Sequence, residues 1–88
     1  MIFDPDLDLL ERLSNGALDL IEAGFFDEAE RMCHELKRRF PDQPDWMERA
    51  ALLHETRGEL VEAVADYERC ITFAGSEASR ASLGRENG

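Results

Sequence analysis

Cys33, Cys70, His34 and His54 are the candidates for thiol and imidazole chemistry in this chain. A cysteine nucleophile needs a base within hydrogen-bond reach and a third group to hold that base. Structural zinc needs ligands converging from spacings such as C-x2-C or H-x3-H. Cys33 and His34 are adjacent, so on a helix they diverge. Cys33 and Cys70 fall on apolar faces, where thiols are inert. His54 is a conceivable base for either, but no spacing gathers the set. Asp4, Asp6 and Asp8 alternate like the opening of a calcium loop. Leu9 stands where that loop needs glycine and Asn15 where it needs glutamate. The aspartates read instead as a helix cap and first turn. Gly24 and Gly58 stand alone, so there is no glycine-rich phosphate loop. The expectation is no catalysis, no metal and no cofactor.

Composition narrows the partners. Twenty acids against ten Lys and Arg give a net charge of −10 over 88 residues. Residues 1–30 hold nine acids and one base, a balance of −8. Binding nucleic acid through phosphates needs a cationic surplus, as does an anionic membrane surface, so neither is expected. No apolar run approaches the roughly 20 residues that span a bilayer. The first residues lack the basic and apolar segments of a signal peptide. Two cysteines do not make a disulfide framework. A cytoplasmic protein is the resulting expectation. An apolar content of 43% supports one small core.

The elements that must position these residues are helical by periodicity. Asp4-Pro5 is a cap followed by proline in the first turn. Leu7, Leu10, Leu13, Ala17, Leu20 and Ile21 follow on one face. Gly16 interrupts that helix, which a close helix crossing would explain, and Gly24 ends it. Phe26, Ala29, Cys33, Leu36 and Phe40 form a second face, with Lys37, Arg38 and Arg39 at its negative end. Pro41 and Pro44 stop that helix. A third starts near Asp45, with Glu48 placed for a capping box, carries Met47, Ala50, Ala51 and Leu53 or His54, and ends at Gly58. The fourth carries Leu60, Ala63, Val64, Tyr67, Cys70 and Ile71 and closes at Gly75. No strand pattern competes, so the fold class is all-α.

A shift of 34 residues superposes the two helix pairs: Gly24 on Gly58, Phe26 on Leu60, Glu28 on Glu62, Ala29 on Ala63, Cys33 on Tyr67. Gly24-Phe25-Phe26-Asp27-Glu28-Ala29 and Gly58-Glu59-Leu60-Val61-Glu62-Ala63 resemble the turn and second-helix start of the tetratricopeptide repeat (TPR). The family's A-x3-F pair is met by Ala63 and Tyr67, and Pro41 matches its terminal proline. The first helices depart from the family's W-x2-L-G-x2-Y, and Trp46 falls one place early. Physically, Ala29 and Ala63 are small where helices approach, with Phe26, Leu36, Leu60 and Tyr67 filling the space around them.

The resemblance implies a superhelical solenoid of antiparallel pairs over residues 1–75. Its repeats are about 10–43 and 44–77, with 76–88 a short cap or flexible tail in which Leu83 is the one large apolar residue. It implies that the first helix of each pair lines a concave groove. That groove would present Glu11, Ser14, Asn15, Leu18, Ile21 and Glu22, then Glu48, Arg49, Leu52, Glu55 and Thr56. Leu18 and Leu52 stand where family members that clamp acidic peptide termini carry asparagine, and Arg49 is the one cation. The partner expected is therefore an apolar or basic protein segment, and the protein an adaptor or chaperone-like module. A solvated charged face is the other use of these residues. Two repeats are fewer than such proteins generally need, so a homodimer through exposed repeat ends is the alternative. The apolar surface should then lie beside Tyr67 and Ile71.

Overall fold

The computed structural model describes the backbone of residues 4–87 and the side chains of residues 4–76. Helix α1 (Pro5–Ala23) begins where the sequence places a cap: Asp4 is extended and its Oδ1 accepts from the N–H groups of Asp6 and Leu7 at 3.0 and 3.4 Å. Asp6 and Asp8 then oppose the positive end of the helix dipole. At the far end Gly24 takes φ 86°, a left-handed conformation in which a side chain would be strained. Its N–H donates to the Ile21 carbonyl, and that of Phe25 to the Leu20 carbonyl, the paired bonds of a Schellman turn.

Helix α2 (Phe26–Arg39) follows after that turn and stops before Pro41, with Lys37, Arg38 and Arg39 in its last turn. Helix α3 (Asp45–Thr56) departs in one detail from the expected capping box. Pro44 occupies the cap position, Asp45 is the first helical residue, and no side chain caps the helix. Gly58 then repeats the Gly24 turn 34 residues later: φ is 81°, Gly58 donates to Glu55, and Glu59 donates to His54. Helix α4 (Leu60–Asn87) does not close at Gly75. Gly75 lacks the positive φ of Gly24 and Gly58, and no proline follows it to remove a backbone donor, so the helix continues. Leu83 lies outside the described side chains. All regular elements among the described residues are helices, so the chain is all-α.

Helix α1 packs on α2, α2 on α3, α3 on α4, and α1 also reaches α3. One core cluster joins Leu10 and Ala17 of α1 to Cys33 and Leu36 of α2, with Leu13, Met32, Phe40 and Trp46 against it. The other joins Ile21, Ala29 and Leu53, one residue from each of three helices, with Leu20, Phe26 and Leu52 beside them. Ala17, Ala29 and Ala51 have no exposed surface, as close helix approach requires. Gly16 serves the same end: a Cβ there would lie 3.4 Å from the tip of Met32 in α2. Ala63 is buried too. Leu60 and Tyr67 do not fill space around it, being 63% and 40% exposed. In α4 both lie largely open, with only the Tyr67 hydroxyl reaching Glu55 of α3, whereas in α2 the equivalent Phe26 packs against one core cluster and Cys33 lies in the other.

Candidate functional site

The expected groove residues divide into an outward and an inward set. Glu11, Asn15 and Glu22 on α1 are exposed, as are Glu48, Glu55 and Thr56 on α3. In α1 the spacings from Glu11 to Asn15, Leu18 and Glu22 are four, seven and eleven residues, one helix face. In α3 Glu48, Leu52 and Glu55 are spaced by four and three and again share a face. Leu18 and Leu52 are half-buried, and Leu52 also packs against the second core cluster. Thr56 turns its hydroxyl back to the Leu52 carbonyl at 2.7 Å.

Ile21 and Ser14 turn inward. Ile21 is 2% exposed and packs with Ala29 and Leu53. Ser14, buried in α1, is brought to Arg49 of α3: the arginine Nε donates to both the Ser14 carbonyl and its hydroxyl, each at 3.1 Å. A buried hydroxyl needs a partner, and a cation on the neighbouring helix supplies it. Arg49 therefore ties α1 to α3.

A second polar cluster, at the α3–α4 contact, went unremarked in the sequence. Asp66 is 5% exposed and takes hydrogen bonds from two sides. His54 Nδ1 of α3 meets one carboxylate oxygen, and Arg69 Nη1 of α4 donates to the other at 2.8 Å. A buried carboxylate without such partners would be strongly destabilising. The signal was present: Asp66 lies three residues after Ala63 and four before Cys70, on their face of α4. Beside it, the Tyr67 hydroxyl donates to the Glu55 carboxylate at 2.9 Å. That hydrogen bond, above all, raises the Tyr67 phenol above its ordinary range. Trp46 donates from Nε1 to the Pro41 carbonyl and is flanked by the Lys37 ammonium, 4.8 Å from the ring centre, and by Arg69.

An aspartate oriented on a histidine is part of many nucleophilic sites, but the thiols here are held neutral. Burial pushes Cys33 up to about 11, with Arg49 opposing. Burial, then Glu48 and Asp66, raises Cys70. His34 is exposed while its neighbour Cys33 is buried, the divergence expected of adjacent helical residues. Among the described residues no three His, Cys, Asp or Glu side chains converge to hold a metal ion. A cavity of about 470 Å³ opens between the start of α1 and the end of α2. Of its polar lining, Asp4 is spent on capping and Arg39 is paired with Glu35. No described helix is long and apolar enough to cross a membrane.

These features define the chain as an all-α protein of two helix pairs with a mainly acidic open face on α1 and α3. No protein-family model matches the chain, and no curated protein or solved structure matches it.

Proposed function

We propose that this protein is a non-catalytic interaction module, a TPR-like solenoid of two repeats, that takes an apolar or basic protein segment on the α1–α3 face. The observation that carries this reading is the inward turn of Arg49. With its one cation committed to Ser14, the face shows the carboxylates of Glu11, Glu22, Glu48 and Glu55 around Leu18 and Leu52. Apolar side chains rimmed by one sign of charge favour a segment with complementary side chains and disfavour an acidic one. The absence of catalysis is supported by the thiols, which burial holds neutral. A reducing cytoplasm suits the two free cysteines.

The test is titration with an extended Lys- and Leu-containing peptide and its Glu-for-Lys counterpart. The basic peptide is expected to bind, the acidic one not, and the exposed-site variant Glu22→Lys/Glu48→Lys to weaken binding about tenfold. Equal binding of both peptides, or an unaffected variant, would overturn the reading. The alternative, a homodimer through exposed repeat ends, is favoured by the apolar surface of α4, where Ile71 is 71% exposed. Light scattering across a concentration series tests it.

A further inference from the structure

Beside its contact with α3, α4 carries an exposed surface that is apolar along its described length. Leu60, Val64, Tyr67 and Ile71 recur at spacings of four, three and four, and they are 63%, 56%, 40% and 71% exposed. The 34-residue repeat identifies what these positions do elsewhere in the molecule. Their equivalents in α2 are Phe26, Glu30, Cys33 and Lys37, and each meets α3, the residue that follows it, or a cluster that a residue of α3 packs against. Phe26 packs on the cluster that contains Leu53. Glu30 pairs with Arg57 at 3.5 Å, just beyond the end of α3. Cys33 lies in the cluster that Trp46 packs against, and Lys37 sits over the Trp46 ring. The same stripe that in α2 seats a helix is uncovered in α4 among the described residues. It is also more apolar than its covered counterpart: Val64 stands for Glu30 and Ile71 for Lys37. A face meant for water would show the opposite change, as the polar outer faces of terminal repeats do.

Charge selects the occupant. Glu68, four residues from Val64 and three from Ile71, lines one edge of the stripe, and Glu55, bonded to Tyr67, lines the other. The nearby described cations are engaged elsewhere: Arg49 with Ser14, Arg57 with Glu30 and Glu59, Arg69 with Asp66. Two copies meeting through this face in a symmetric dimer would bring their acidic edges together. We infer that the α4 stripe is a seat for an amphipathic helix of a partner protein, with apolar residues at i, i+4, i+7 and i+11 and Lys or Arg along both flanks. This second surface meets the α1–α3 face at Glu55 and otherwise uses different residues, and it seats a helix as α2 seats α3.

The probe is a synthetic helical peptide of about 18 residues with that Leu stripe and Lys flanks, beside a scrambled peptide of the same composition. Fluorescence anisotropy with the full chain should show binding of the patterned peptide and weaker binding as salt rises. Val64→Lys/Ile71→Lys should weaken it about tenfold or more, because both positions are exposed and become charge-repelling. Glu22→Lys/Glu48→Lys should leave it nearly unchanged, which separates this seat from the α1–α3 face. Glu68→Lys, a surface change that leaves the apolar stripe intact, should weaken binding and reduce its salt dependence, and it serves should the double variant misfold. Equal affinity for the scrambled peptide, or indifference to both the α4 changes, would overturn the inference. So would a wild-type dimer that Val64→Lys/Ile71→Lys dissociates, since a second copy would then be the occupant.

Discussion

Replacing Arg49 with methionine isolates the contact that both joins α1 to α3 and removes the cation from their open face. Methionine keeps the apolar stem and discards the guanidinium. One N–H is lost, shared between the Ser14 carbonyl and hydroxyl at 3.1 Å each. Hydrogen bonds to charged groups contribute about 1.5–3 kcal/mol. Here the donor is half-buried and bifurcated, which puts the expected cost of Arg49→Met at about 1–2 kcal/mol. The Ser14 carbonyl is less affected, because α1 continues through Leu18 and the carbonyl keeps its helical N–H. The hydroxyl is the group left without its cross-helix partner. Ser14→Ala removes that hydroxyl alone and should cost about 0.5–1 kcal/mol.

The two costs should not add. Once Arg49 is gone the buried hydroxyl is a liability, so Ser14→Ala in that background should be nearly neutral, a coupling of about 0.5–1 kcal/mol. Urea unfolding followed by far-UV circular dichroism reads all four corners of the cycle, with a constant slope showing that only stability changed. For a domain of this size the Arg49→Met cost corresponds to a Tm lower by about 4–15 °C. Wild-type stability in Arg49→Met, or additive losses in the double variant, would refute the assignment of Arg49 to Ser14.

Ala29→Leu and Ala63→Leu should each destabilise by about 1–3 kcal/mol through overpacking, read by the same unfolding assay, whereas Glu30 and Glu59, which pair with Arg57 near the surface, should tolerate alanine at about 0.5 kcal/mol or less. A thiol reagent should label Cys70, the less buried of the two, before Cys33. Because Cys33 is raised from 9.0 to about 11, its neutral form favours the fold below pH 9, and this contribution is lost as pH rises toward 11. The stability difference between wild type and Cys33→Ala should shrink by up to about 2 kcal/mol over that window. Glu35, held by Arg38 and Arg39, is lowered from 4.5 to about 2; its contribution is present above pH 4.5 and lost as pH falls toward 2, so Tm values of wild type and Glu35→Gln should converge there.

The helices and their turns were legible because they are local. Asp4-Pro5, Gly24 and Gly58 each act through backbone geometry within a few residues, and the structure places all three where the sequence does. Gly75 was misread because glycine ends a helix only when a positive φ follows, and nothing in its identity distinguishes an interior glycine from a cap. At Asp45 the pairing with Glu48 resembled a capping box, but Pro44 took the cap position. Leu60 and Tyr67 were misjudged for a different reason. Periodicity marks them as apolar and helical, but whether an apolar stripe is covered depends on what lies beyond α4. Asp66 and the Arg49–Ser14 contact depend on side chains 12 and 35 residues apart in sequence, a separation that spacing rules within one helix do not reach.

The placement of the cations connects these readings. Arg49 is drawn to Ser14 between α1 and α3, Arg57 to Glu30 between α3 and α2, and Arg69 to Asp66 where α4 meets α3. Each of these arginines binds a contact between helices or the buried carboxylate at one, and is withdrawn from the open faces. The −10 of the chain is therefore unevenly presented: these three arginines are engaged at or near helix contacts, and carboxylates remain around Leu18, Leu52 and the α4 stripe. A core this small has few apolar contacts to fix helix orientation, so polar contacts of defined geometry add registration that alanine and leucine alone do not. The same economy of cations that registers the helices leaves both apolar surfaces with edges complementary to a basic partner. Stability and partner choice are thus coupled most directly through Arg49: loosening it both weakens the α1–α3 contact and returns a positive charge toward a face that would otherwise attract basic side chains.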